Sequence, residues 1–244
     1  MSNLRQIAKQ LPGAQSLFQY ARHKYQWLTL VGKPTEDVFT NIFQGNKWGG
    51  QASVSGRGSD LDQTGIIRKQ LPALLREFEV QTMLDIPCGD FNWMRHVDLE
   101  NVDYTGADIV PALVEQNRQY EKPKIHFVPL NLISDELPEV DLLFCRDCLV
   151  HLCYKQIFEA LSNVVDSGST YLLTTTFPDR PQNQDIATGQ WRPLNLEVAP
   201  FSFPPPVKMI GERSEPNDPF KDKSLGLWRI ADLAGFAKAN LGKR

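Results

Sequence analysis

Three short stretches of this chain hold side chains whose types and spacing suit chemistry. In "TMLDIPCGDFNWM", Thr82 to Met94, a strand-like run ends in Asp85 and breaks at Pro87 and Gly89. In "YTGADIV" a second run ends in Asp108. An acidic residue about 20 positions past the first turn is placed to bind a ribose diol. In "DLLFCRDCLVHL" a third run delivers Arg146, Asp147 and His151. Asp147 and His151 are candidate general bases, and the imidazole works nearest neutral pH. The first turn narrows the ligand. A pyrophosphate is cradled by G-x-G-x-x-G, whereas "DIPCGDFNW" has one glycine with Phe91 and Trp93 close behind. That turn suits a ribose-bearing ligand without a diphosphate, packed on backbone and held by carboxylates.

Such residues need a scaffold that gathers strand ends. From Thr82 onward, apolar runs alternate with helical spacing. Strands are predicted at "TMLDI", "VDYTGAD", "KIHFVPL", "VDLLFCR" and "STYLLTTTF", and helices at "VPALVEQNRQY" and "YKQIFEALSNVV". Strands apolar nearly throughout and separated by helices predict a parallel sheet covered on both faces. Two late strands, "VKMIGE" and "LGLWRI", complete it. The fold class is therefore α/β, a Rossmann-like, seven-stranded, mostly parallel sheet with helices on both faces. A helix over 64–79, with Pro72 as a kink site, precedes the sheet, and residues 1–45 read as an N-terminal helical extension broken at Pro12 and Gly13. The C-terminal "ADLAGFAKANLGKR" reads as a short helix or a frayed tail. Two units are expected: 1–63, a helical segment and covering loop, and 64–244, the sheet domain. Seven prolines between 178 and 206 mark a long loop of the kind used for lids and binding. Ligands of doubly wound sheets sit outside the carboxyl ends of the strands, where Asp85, Asp108, Asn131, Arg146, Asp147 and His151 all fall.

Composition sets bounds. Hydrophobic content of 41% with 23% charged residues is that of an ordinary globular protein. No apolar run nears the roughly 18 residues of a membrane span, and the N-terminus lacks a secretory signal. A net charge of −3 disfavours a nucleic-acid binder. Four cysteines are too few for a disulfide scaffold and predict reduced thiols in a cytoplasmic setting. Cys145, Cys148, His151 and Cys153 are zinc-ligand types. Their span is short for wrapping a tetrahedral ion, and strand alternation points Cys145 away from Cys148, so no metal is expected. Before Glu36 lie Arg5, Lys9, Arg22, Lys24 and Lys33 and no acidic residue. They form either a solvated helix face or a contact for an acidic partner or membrane surface.

The three stretches, in this order and spacing, resemble the first, second and fourth motifs of class I S-adenosylmethionine-dependent methyltransferases, firmly over residues 80–177. More narrowly, "WG…SGRGS…T", "CGDFNW" and "TGQWRPLNL" resemble a bacterial group of poorly characterised methyltransferases, some associated with glycan or specialised-metabolite pathways. The resemblance implies S-adenosyl-L-methionine as cofactor. It puts Asp85 on the methionine amino group, Pro87, Cys88 and Gly89 beneath the methionine, and Asp108 on the ribose hydroxyls. Ile109 would lie against adenine, and Leu132 joins the cofactor set. Asn131 stands where the family carries an Asp that contacts the adenine amino group, and its amide oxygen accepts the same bond. Family loops read D-x-G-x-G-x-G, and here Pro87 and Phe91 replace two glycines. Trp48, Arg57 and Ser59 are expected over the methionine end, and Arg146 on the cofactor carboxylate or an acidic substrate group.

The implied function is methyl transfer to a hydroxyl of a small polar acceptor such as a sugar or glycan intermediate. Asp147 or His151 serves as base, and Asn183, Asp185, Trp191, Arg192 and Asn195 hold the acceptor. N-methylation of a specialised metabolite and a non-catalytic S-adenosylmethionine-binding module are the alternatives. The missing glycine fingerprint disfavours a nicotinamide oxidoreductase, and "RDCL" in place of N/D-P-P-Y/F disfavours a nucleic-acid methyltransferase. Structural roles stay open: Asp85 and Asp108 as helix caps, His151 as a packed core histidine, Trp191 as a pin for its loop.

Overall fold

A computed structural model describes residues 29–99, 101–212 and 217–241, with side chains described as far as residue 235. The expected helix over residues 1–28, with Pro12, Gly13 and the basic Arg5, Lys9, Arg22 and Lys24, lies outside the described residues.

Seven strands form one sheet: β1 (Thr82–Asp85), β2 (Asp103–Asp108), β3 (Ile125–Pro129), β4 (Leu142–Cys145), β5 (Tyr171–Thr176), β6 (Lys208–Gly211) and β7 (Ser224–Arg229). Their order is β3-β2-β1-β4-β5-β7-β6. β1 to β5 pair in parallel, and β7 runs antiparallel between β5 and β6. Every strand read from the apolar runs is present. The helices are α1 (Thr35–Gln44), α2 (Gly65–Glu77), α3 (Pro111–Asn117), α4 (Tyr154–Asp166) and α5 (Ile230–Leu241). Pro111 occupies the first turn of α3, where its missing N–H leaves no bond unmade. Pro72 is buried within α2, which runs on through it to Glu77.

Successive side chains of a strand point to opposite faces, and the central strands bury both. Met83, Phe144 and Leu173 join the core under α2 with Ile67, Leu71 and Leu74. Leu84, Leu143 and Leu172 join the other core with Ile157, Ala160 and Leu161 of α4. This is why these strands read as continuous apolar runs.

Two features of the topology position the site. The chain reverses its direction of sheet growth at β1, with β2 on one side and β4 on the other, which opens a crevice at their carboxyl ends. The antiparallel β7 begins where β5 and β6 end, with Ser224 opposite both Thr176 and Gly211. Glu212 and Lys223 are thereby brought to the same carboxyl edge.

Candidate functional site

An open cavity lies at the carboxyl ends of β1, β2 and β4. Asp85, Pro87, Cys88, Asp108, Ile109, Asn131, Leu132 and Arg146 line it, as do Trp48, Ser59, Asp147 and His151. Two expected contacts are absent from the lining. Arg57 is exposed on the short turn Arg57–Ser59 and stands outside the lining. Gly89 lies behind the wall with φ +57, where a Cβ would fall 2.2 Å from Ser55 Oγ. Glycine is required there by both conformation and crowding.

That crowding reflects how the loop before α2 is fastened over the first turn. Asp90 accepts bonds from Ser53 Oγ at 3.0 Å, Val54 N–H at 3.0 Å and Ser55 Oγ at 3.4 Å. Asn92 Nδ2 donates to Ser59 O at 3.0 Å, and Arg146 Nη2 to Gly58 O at 2.9 Å.

Neither carboxylate of the first two turns supplies a side-chain cap to α3. Asp108 ties the turns together, accepting Gly89 N–H at 3.1 Å and Val110 N–H at 2.9 Å. Burial raises its pKa to about 6, against the pull of those N–H groups. Asp85 accepts Tyr104 Oη–H at 2.6 Å, and burial raises its pKa to about 8, with Tyr104 and Arg146 opposing. Asn131 lines the cavity with its amide oxygen already accepting Ile133 N–H at 2.9 Å.

Arg146 and Asp147 belong to a buried charge cluster. Arg146 Nη2 meets Glu212 Oε2 at 2.6 Å, and its Nη1 meets Asp147 Oδ2 at 3.3 Å. Lys223 Nζ meets Asp147 Oδ2 at 2.6 Å and Glu212 Oε2 at 3.3 Å. The guanidinium also faces the Trp93 ring at 5.3 Å. Two cations and two carboxylates balance. Burial works against ionised Asp147, but Lys223 and Arg146 hold its pKa well below the usual carboxylate range. A carboxylate so held is a poor proton acceptor, so the structure corrects the expectation of Asp147 as a base. Its backbone sits at φ +54, with its N–H donated to Thr175 Oγ1 at 2.8 Å.

His151 is differently placed. Its Nδ1 lies 2.9 Å from Gln190 O, a group that only accepts, so Nδ1 carries the proton and Nε2 is the basic nitrogen. Burial lowers its pKa, against the pull of the Gln190 carbonyl and Asp147, so the ring is neutral at pH 7. Trp48 packs on it, ring centroids 4.9 Å apart at 31°.

The five proline-loop residues expected to bind the acceptor do not line the cavity. Asn183 and Asn195 bond to backbone within the loop. Asp185 accepts Tyr154 N–H at 2.7 Å, at the start of α4. Trp191 packs edge-on against Phe177 and Phe220. Arg192, which is buried, donates to Leu149 O and Leu152 O at 2.8 Å each and to Gln184 O at 3.1 Å. The loop thus braces the turn that presents His151.

Glu212, Lys223, Tyr104 and Asp90 went unremarked in the sequence. The one available signal for Glu212 and Lys223 was that an antiparallel last strand must begin at the ligand-binding edge. Cys145 and Cys148 pack on the same apolar core, so the alternation argument that separated them fails. No group of metal-ligating side chains occurs among the described residues, nor any helix long and apolar enough to cross a membrane.

No protein-family model and no curated protein matches the chain. Solved structures do match in fold. The N-methyltransferase NodS from Bradyrhizobium japonicum WM9, in complex with S-adenosyl-L-homocysteine, aligns with a TM-score of 0.54 and 15% identity over 78% of this chain and 98% of that one. The methyltransferase domain of bacterial CtHen1-C aligns with a TM-score of 0.53 and 12% identity over 69% and 97%. The chain spans 56% of the length of the magnesium protoporphyrin IX methyltransferase from Synechocystis PCC 6803, with a TM-score of 0.40 and 15% identity over 47% of its own residues. At these identities the likeness is one of fold alone, a Rossmann-like sheet that this chain shares with those proteins.

Proposed function

We propose that the chain is an S-adenosylmethionine-dependent methyltransferase acting on a hydroxyl of a small acceptor. Fold alone does not carry this. The observation that does is the wall of the first turn. Asp85, Asp90 and Asp108 line one cavity, and the N–H of the single glycine is donated to Asp108. A phosphate there would meet the carboxylates of Asp90 and Asp108 and find that N–H taken, whereas a ligand with an ammonium, a sulfonium and a ribose suits the same groups, its ammonium drawing the buried Asp85 to ionise. Asp85 would hold the ammonium and Asp108 the diol, each carboxylate oxygen having lone pairs to spare. Ile109 and Leu132 offer apolar walls for adenine, beside Asn131. Arg146, with all three nitrogens engaged, orders Asp147 and the covering loop, and residues 35–59 supply the cover.

S-adenosylmethionine, when bound, supplies a methyl group on a sulfonium centre. His151 takes the acceptor proton at Nε2, held in the required tautomer by Gln190 O. Trp48, Ser59 and the loop around them exclude water. A positioned base of this kind contributes about 10²–10⁴-fold.

The test is the thermal unfolding of the full chain with S-adenosylhomocysteine and, separately, NAD. At about 100 times the dissociation constant a ligand adds about 2.7 kcal/mol, or roughly 5–11 °C for a domain of this size. A shift of that order with the homocysteine compound and none with NAD is expected. A shift with NAD alone would refute the proposal.

A further inference from the structure

Beyond the strand ends, the cavity has a second wall of different character. α1 places Thr35, Phe39 and Phe43 at four-residue spacing, on one helical face, and all three line the cavity. The rings continue inward: Phe39 lies 6.3 Å from Trp48, and Trp48 lies 4.9 Å from His151. Phe39, Phe43 and Trp48 are each only half-buried. α1 is seated closely, since a Cβ on Gly189 (φ +95) would fall 2.6 Å from Val38 Cγ1.

From the aromatic run that ends at His151 we infer that the acceptor is a flat, uncharged aromatic compound bearing a phenolic hydroxyl. This rests on the methyltransferase reading and narrows it. Among the described residues, the charged groups of the cavity all stand on its strand-end side, where each has partners. On the aromatic side the polar groups are few. Thr35 Oγ1 already accepts Gln156 Nε2 at 2.7 Å. A sugar would bring several hydroxyls to a wall that cannot bond them, and each unmet hydroxyl costs roughly tenfold in affinity. The residues expected to hold the acceptor, Asn183, Asp185, Trp191, Arg192 and Asn195, lie outside this wall. A flat ring stacks on Phe and Trp without that loss.

The chemistry of the base agrees. A neutral imidazole accepts a proton readily from a phenol of pKa about 10 and poorly from an alkyl hydroxyl, whose acidity is near that of water at about 15.7. The phenolic proton passes to His151 Nε2 as the oxygen–methyl bond forms and the sulfonium–carbon bond breaks. The products are an aryl methyl ether, a neutral thioether and an imidazolium that later releases its proton to solvent.

The experiment is a calorimetric titration of the full chain, saturated with S-adenosylhomocysteine, using 2-naphthol as probe and glucose as comparison. Naphthol is expected to bind, glucose not, and Phe39→Ala and Trp48→Leu are each expected to weaken naphthol about tenfold. Unfolding midpoints of the variants close to that of the parent show that the loss is local. Failure of naphthol to bind the loaded protein, or glucose binding with naphthol excluded, overturns the acceptor class while leaving the methyltransferase reading intact. Failure of S-adenosylhomocysteine itself to bind removes that reading instead.

Discussion

Glu212 is the most exacting test of the charge cluster. Its carboxylate is fully buried and faces Arg146 at 2.6 Å and Lys223 at 3.3 Å. Glu212→Gln keeps the shape and one acceptor oxygen but leaves Arg146 and Lys223 with only Asp147, a buried net charge of +1. Each close pair contributes about 4 kcal/mol at an effective dielectric near 20. Removing the carboxylate also recovers its own desolvation, so the expected net loss is about 3–5 kcal/mol. Lys223→Met leaves a net −1 and is expected to cost a similar amount. The double variant keeps the neutral pair of Arg146 and Asp147, 3.3 Å apart. It should therefore cost less than the sum of the singles by about 2–3 kcal/mol. Urea unfolding of all four proteins at pH 7, with linear extrapolation, gives the cycle. Single losses that add within about 0.5 kcal/mol would refute the view that these four groups act as one balanced unit.

Other outcomes follow from the same geometry. Asp85, with its pKa raised to about 8 by burial, carries a proton in the folded protein that the unfolded chain has lost above its ordinary value of 3.8. The raised value means that its contribution to stability is full below pH 3.8 and lost as pH rises through 8. Over about pH 6.5–8 the unfolding free energy from urea titration should fall by up to about 1.4 kcal/mol per pH unit, and Asp85→Asn should flatten the slope; an unchanged slope would place the titration elsewhere. His151→Gln should lower the rate of methyl transfer to 2-naphthol by about 10²–10⁴-fold. The parent should lose activity on the acid side, at a pH below the ordinary imidazole range because burial lowers the pKa of His151, a limb that the variant should lack. Arg192→Met leaves three carbonyls without their donor and should lower stability by about 3 kcal/mol, or roughly 6–12 °C. A raised acceptor KM with no thermal loss would instead return Arg192 to substrate contact.

What could be read in the sequence was what is local. The strands were legible because both their faces are buried, and Asp85, Asp108 and His151 because each closes an apolar run. Arg146 and Asp147 were found by position, but their partners were not. Glu212 and Lys223 reach them only through the antiparallel β7, and no local pattern announces which residues a return strand will align. The proline loop misled for a physical reason. An irregular segment has no ladder to satisfy its backbone groups, so its Asn, Asp and Arg side chains do that work. The same composition would serve a ligand equally well. The apolar face of α1 was part of a general helical reading, and its Phe39 and Phe43 gained meaning only when the fold set them opposite the strand ends.

The most direct test of the central claim is calorimetric titration of the full chain with S-adenosylhomocysteine, repeated on Asp108→Ala. The carboxylate that binds Gly89 and Val110 N–H and faces the cavity is expected to hold the ribose. Micromolar binding in the parent, weakened about a hundredfold or more in a variant that is still folded, is the predicted result; it corresponds to the loss of charge-assisted bonds worth about 3 kcal/mol. A folded parent that does not bind the compound, or a variant that binds it as tightly as the parent, would contradict the account.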